Sequence, residues 1–121
     1  MQPSLTDQPL FDVTQIALLR DALGEEDLRG LLSELPSAAG QAFDQIGAAL
    51  ASNDPEEVRR EAHALKGVAS SFGAARLAAI ARELELEAAS IALMMQLMPA
   101  LANAIDDTLA VLPGIERAPW A

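Results

Sequence analysis

The sequence predicts an all-α fold, an antiparallel four-helix bundle with an accessory N-terminal helix. First, 51% of its residues are apolar, mostly Ala and Leu, with few β-branched side chains and only Phe11, Phe43, Phe72 and Trp120 as aromatics. That mixture favours helices over strands. Second, apolar positions recur every three to four residues through long runs. Third, helix-start and helix-stop residues separate those runs by short connections, as in an up-and-down bundle. At 121 residues the chain suits one domain with a modest core that needs no disulfide or metal staple.

Residues 1–10 hold two prolines and no apolar period, and are expected to form a flexible arm. The helical domain is expected over 11–113, beginning with Asp12 as N-cap, Ile16, Leu19 and Leu23 on one stripe, and Gly24 as a left-handed stop. From Glu25 to about Ser52 a broad stripe runs through Leu28, Leu32, Leu35, Phe43, Ile46 and Leu50. Pro36 must kink this segment or divide it, and a kink is the expectation. Asn53-Asp54-Pro55-Glu56-Glu57 is a helix start, with Asp54 capping, Pro55 in the first position and acids at the positive helix end. The helix it opens runs to about Phe72. Gly73 then breaks the chain, and a further helix carries Leu77, Ile80, Ala81 and Leu84 to around Ala89. Ser90 caps the last helix, which Pro99 is expected to bend and Pro113-Gly114 to stop, leaving 114–121, with Trp120, as a tail.

The formal charge is −10 and the eight basic residues are scattered, so no basic footprint for DNA or RNA is present. The same balance argues against anionic lipid. The charge-free run Ala88–Ile105 approaches the length of a bilayer span, but Ser90, Gln96, Pro99 and Asn103 interrupt it and Glu87 and Asp106 bound it. It reads as a buried helix. Cysteine is absent, which removes disulfides, thiolate metal sites and cysteine nucleophiles. With no basic, apolar leader at its start, the protein is expected in the cytoplasm.

The one histidine, His63, carries the functional signal. With His63 set at zero on a helical wheel, Val58, Leu65, Ala69 and Phe72 fall between about 180 and 240 degrees, which is the core stripe. His63 therefore points to solvent. A lone histidine is more often an idle surface residue than a site, but the company on this face argues otherwise: Arg59 and Arg60 lie one turn before, Lys66 and Gly67 one turn after, then Ser70. Lys66, three positions on, is within side-chain reach of an anion on the imidazole. Arg59, Arg60 and Ser70 are further candidates to support such charge. Gly67 costs about 1 kcal/mol relative to alanine inside a helix; on an outward face, its missing side chain leaves a gap through which a partner could approach. Neutral imidazole, with an unperturbed pKa of about 6.5, is a competent nucleophile. Phosphoryl transfer asks for little beyond such a nucleophile held in position with charge balance.

The stretch His63-Ala64-Leu65-Lys66-Gly67-Val68-Ala69-Ser70-Ser71-Phe72-Gly73 resembles the signature of histidine-containing phosphotransfer (HPt) domains, approximately H-x-[LI]-K-G-x-[AS]-x-x-x-G. Every fixed position agrees, and the likeness extends from about Phe11 to Leu112. The resemblance implies a four-helix bundle whose exposed histidine exchanges phosphate with receiver-domain aspartates of response regulators, fed by a hybrid histidine kinase. By position His63 is the phosphoacceptor, Lys66 steadies the phosphoryl group and Gly67 makes room for the receiver. No P-loop or kinase signature is present, so a stoichiometric carrier rather than an enzyme is expected. No metal or cofactor of its own is expected either, Mg²⁺ belonging to the receiver. A monomer is favoured, docking through exposed apolar residues of the first helix and the front of the second. The competing expectation is a helical adaptor that binds receivers or other signalling partners without accepting phosphate. A metal enzyme is disfavoured because Glu56 and Glu57 lie about two turns before His63.

Overall fold

The computed structural model describes residues 8–117, with the side chains of 116 and 117 left aside. Six helices follow one another: α1 Val13–Leu23, α2 Glu25–Leu32, α3 Leu35–Ala51, α4 Pro55–Ser71, α5 Ala75–Arg82 and α6 Ile91–Arg117. A π-helical turn, Glu83–Glu87, extends α5. Helices α3, α4, α5 and α6 pack each on the next and α6 closes back on α3, which makes the four-helix bundle; α1 and α2 form the accessory pair beside it.

Local chemistry sets the boundaries. The Asp12 side chain accepts from the amides of Thr14 and Gln15, and Asp54 accepts from Glu57, so both expected N-caps form. Ser90 Oγ accepts from Leu93 N at 3.2 Å and caps α6. Gly73, at φ +72, closes the turn between α4 and α5 with Ala74 N donating to Ala69 O. Gly24 also has positive φ, +87, but its ψ of 162 is extended, so the α1 stop is not the left-handed turn expected.

Two expectations about proline need correction. The segment from Glu25 to Ser52 is divided rather than kinked: Pro36 sits in the first turn of α3, where its missing N–H leaves no intrahelical bond unmade. Ser33 Oγ donates to Gly30 O in the break. Pro113 and Gly114 do not stop α6, which continues to Arg117. A proline removes one hydrogen bond from a helix that the buried Leu101, Ile105 and Leu112 hold against the bundle. At the other end, Arg76 donates from its backbone N to Pro9 O and from its side chain to Gln8 O. The remainder of the expected arm, 1–7, and Trp120 in the expected tail lie outside the described residues.

The core is built of Ile16, Leu32, Leu35, Ile46, Leu65, Leu77, Leu84, Met94 and Leu101, interleaved with buried alanines such as Ala39, Ala62, Ala69 and Ala81. Small side chains at helix contacts let neighbouring backbones approach closely. Val58, Ala62, Leu65 and Ala69 are the buried face of α4, which fixes the opposite face outward. Among the described residues no helix is long and apolar enough to cross a membrane.

Candidate functional site

His63 stands in the middle of α4 with 68% of its side chain exposed, opposite the buried stripe. The ring is nonetheless held. Glu85, on the π-helical turn across from it, brings Oε2 within 2.6 Å of His63 Nδ1 and Oε1 within 2.5 Å of Lys66 Nζ. One carboxylate thus bridges both residues that the sequence singled out. The Lys66 ammonium first, and the His63 ring after it, hold the Glu85 carboxyl below the usual carboxylate range, against the opposing effect of desolvation. An ionised carboxylate only accepts hydrogen bonds. The proton of a neutral imidazole is therefore on Nδ1, donating to Glu85, and the Nε2 lone pair faces solvent.

The expected companions divide into two hollows. Arg59 and Arg60 line one cleft with His63, Glu85 and Glu56. Arg60 is engaged by Glu57 at 2.5 Å on the exposed helix surface, an arrangement of small energetic weight. Lys66 and Ser70 line the other hollow, with Asp12, Gln15 and Arg82. Ser70 is two turns beyond His63, a rise of roughly 10 Å, and its carbonyl accepts from Gln15 Nε2 at 2.6 Å. That carbonyl is part of the seat of α1. Gly67 is exposed, and a Cβ placed on it would meet none of the described residues within 4 Å. Packing among the described residues does not require glycine there. Among the described residues no group of three or more His, Cys, Asp or Glu is arranged to hold a metal ion.

Glu85 is the site residue that sequence reasoning missed. A faint signal existed: relative to the stripe of Leu77, Ile80, Ala81, Leu84 and Ala88, residue 85 falls about 40 degrees beyond Ala81, at the edge of the buried face. An acid there faces a neighbouring helix. The π turn, closed by Ala88 N donating to Glu83 O, was not legible, and such turns are frequent at functional sites.

Beyond the polar site, α1 exposes Val13, Leu18 and Leu23 at 54%, 63% and 42%. Its first turn lies against the end of α4 through the Gln15–Ser70 bond and the donation of Asp12 N to Gly73 O.

Residues 30–111, more than half of the chain, match the family described as Hpt domain. The fold is similar to the crystal structure of histidine-containing phosphotransfer protein B (HptB) from Pseudomonas aeruginosa PAO1, with a TM-score of 0.81, 24% identity, and 90% of this chain and 96% of that one covered. No curated protein matches the chain.

Proposed function

We propose, from the premise that this chain belongs to the Hpt-domain family and serves phosphorelay histidine phosphotransfer, that the phosphoryl group is carried on Nε2 of His63. The observation that supports this residue is its combination of exposure and restraint: 68% of the side chain is open, while Nδ1 is engaged by Glu85. The nucleophilic nitrogen is thus the one a partner can reach. An exposed imidazole with no partner would rotate among rotamers and present either nitrogen.

In this reading the donor and acceptor are aspartates of response-regulator receiver domains, with a hybrid histidine kinase as the source of phosphate. Lys66 supplies positive charge to the carried group, Arg59 adds to the field from the cleft, and Gly67 leaves the space through which a receiver's acidic centre enters. Val13 and Leu18 on α1 offer apolar area for its docking. The carrier acts stoichiometrically, as a monomer in the cytoplasm, with Mg²⁺ contributed by the receiver and no cofactor of its own. An adaptor that leaves His63 idle has no use for the Glu85 bridge, and is not favoured.

The test is direct. Mixed with a phosphorylated receiver and Mg²⁺, the wild type acquires acid-labile phosphate and His63→Gln acquires none. Equal labelling of the two would refute the assignment.

A further inference from the structure

The bridge at Glu85 poses a problem of charge. In the structure the Lys66 ammonium is bonded to Glu85 Oε1 at 2.5 Å, so the cation expected to steady a phosphoryl group is already engaged. A phosphoryl group on Nε2 brings roughly two negative charges next to a carboxylate that is itself negative. If Glu85 only repelled that group, the site would oppose its own function. The resolution lies in what happens to the ring.

When the Nε2 lone pair attacks phosphorus, the bond from phosphorus to the partner's aspartyl oxygen breaks and its electron pair leaves with the carboxylate. The Nδ1 proton stays where it was. The imidazole, neutral before the step, is then cationic, and its charge sits at Nδ1–H, 2.6 Å from Glu85 Oε2. Glu85 gains a cation on one oxygen at the moment the phosphoryl dianion competes for Lys66 on the other. In the return step the N–P pair goes back to Nε2, neutral imidazole leaves, and Lys66 can return to Glu85. No proton moves in either direction.

Resting on the assignment of His63 as phosphoacceptor, we infer that Glu85 is a positioning residue for the transfer: its carboxylate retains the Nδ1 proton while the phosphoryl group is bound and exchanges Lys66 for the ring cation. Both halves follow from one juxtaposition, the π-helical turn setting a two-oxygen acceptor between the ring and the ammonium. The low set of the Glu85 carboxyl agrees, since it is ionised throughout the neutral range. Among the described residues the other charged groups lining the cleft with the ring are Arg59, Arg60 and Glu56 of α4. Glu57 offsets Arg60, and Arg82 and Glu87 beside the turn are paired at 3.9 Å. Glu85 is the acceptor on Nδ1.

Retention of the proton has a consequence a structural role would not produce. An N-phosphorylated imidazole loses its phosphoryl group readily while the second nitrogen is protonated, because neutral imidazole leaves. It resists loss once that proton is gone, because an imidazolide would have to leave. A carboxylate on Nδ1 extends the labile range to higher pH. Replacing it with the isosteric, neutral amide of Glu85→Gln keeps an acceptor but removes the charge, a difference worth about one pH unit, or tenfold.

The experiment loads the full chain with phosphoramidate as a small phosphoryl donor, which removes the receiver from the measurement. Loss of the ³¹P phosphohistidine signal is then followed from about pH 6 to about pH 10 for wild type, Glu85→Gln and Glu85→Asp, with His63→Gln as the loading control. The expected result is a Glu85→Gln profile displaced about one unit to lower pH, with dephosphorylation about tenfold slower on the alkaline side, while Glu85→Asp keeps the wild-type position. Superimposed wild-type and Glu85→Gln profiles overturn the inference and leave the phosphoacceptor assignment intact. A uniform change in rate without displacement, or a Glu85→Asp profile displaced like that of the amide, also overturns it, since the carboxylate charge is then not what acts. Loading of His63→Gln at the wild-type level overturns the assignment itself.

Discussion

Gly67 separates the demands of folding from those of function, because the two make opposite predictions for its replacement. Glycine in a helix interior costs about 1 kcal/mol relative to alanine, mainly through backbone freedom in the unfolded chain. At position 67 a Cβ would meet no atom of the described residues within 4 Å, and the backbone is helical, so Gly67→Ala recovers that amount with no steric debit from them. For a domain of this size a gain of about 1 kcal/mol raises the melting temperature by roughly 4 °C. Gly40→Ala, equally open on α3, gives the same rise. Gly73→Ala goes the other way, because φ is +72 and the new Cβ would stand 3.3 Å from Ile16 Cδ1; the left-handed penalty alone is about 1–2 kcal/mol. Function then divides the two positions. A longer side chain, Gly67→Gln, projects into the space beside His63, and displacement of the reacting groups by about 1 Å costs on the order of a hundredfold in rate. Transfer from a phosphorylated receiver should fall by about that factor, while labelling by phosphoramidate stays within about twofold and Gly40→Gln changes neither. Thermal melting and receiver-transfer assays together decide the matter. A destabilised Gly67→Ala would refute the claim that glycine there serves no packing role, and full receiver transfer in Gly67→Gln would refute the route of approach.

Four further outcomes follow from the same structure. Thr108 is fully buried on α6 and its Oγ1 has no hydrogen-bond partner among the described residues, so Thr108→Val, which replaces that hydroxyl by a methyl group, should be neutral or stabilise by up to about 1 kcal/mol in urea unfolding; a clear loss would mean that the hydroxyl is satisfied. Asp54→Ala removes the acceptor for Glu57 N and should cost about 1 kcal/mol, measured as a lower denaturation midpoint with unchanged slope. The stability difference between wild type and Glu85→Gln should be present at neutral pH and vanish as pH falls through the lowered range of the Glu85 carboxyl. Glu61 has the opposite sign, since desolvation first and Glu57 second push its carboxyl up; its contribution is present in acid and lost as pH rises, so the profile of Glu61→Gln should diverge from wild type in the other direction.

What was legible in the sequence is what a single helix can encode. The outward direction of His63 follows from the spacing of Val58, Leu65 and Ala69 along α4, and the caps at Asp12, Asp54 and Ser90 are local side-chain chemistry. Proline was ambiguous because its effect depends on the competing contacts: Pro36 divides two helices, whereas Pro99 and Pro113 are accommodated inside α6. The parts of the site made between elements were harder to see. Ser70 shares a helical face with His63, yet the rise along α4 separates them and Gln15 of α1 engages its carbonyl. Glu85 shares no local pattern with His63. It reaches Nδ1 only because α5 runs back antiparallel to α4 and a π turn places the residue on the bridge. A wheel drawn at about 100 degrees per residue cannot anticipate an insertion that changes the period, and the contact joins residues far apart in sequence. The sequence therefore singles out His63, whereas the carboxylate that engages its Nδ1 comes from the packing of one helix against the next.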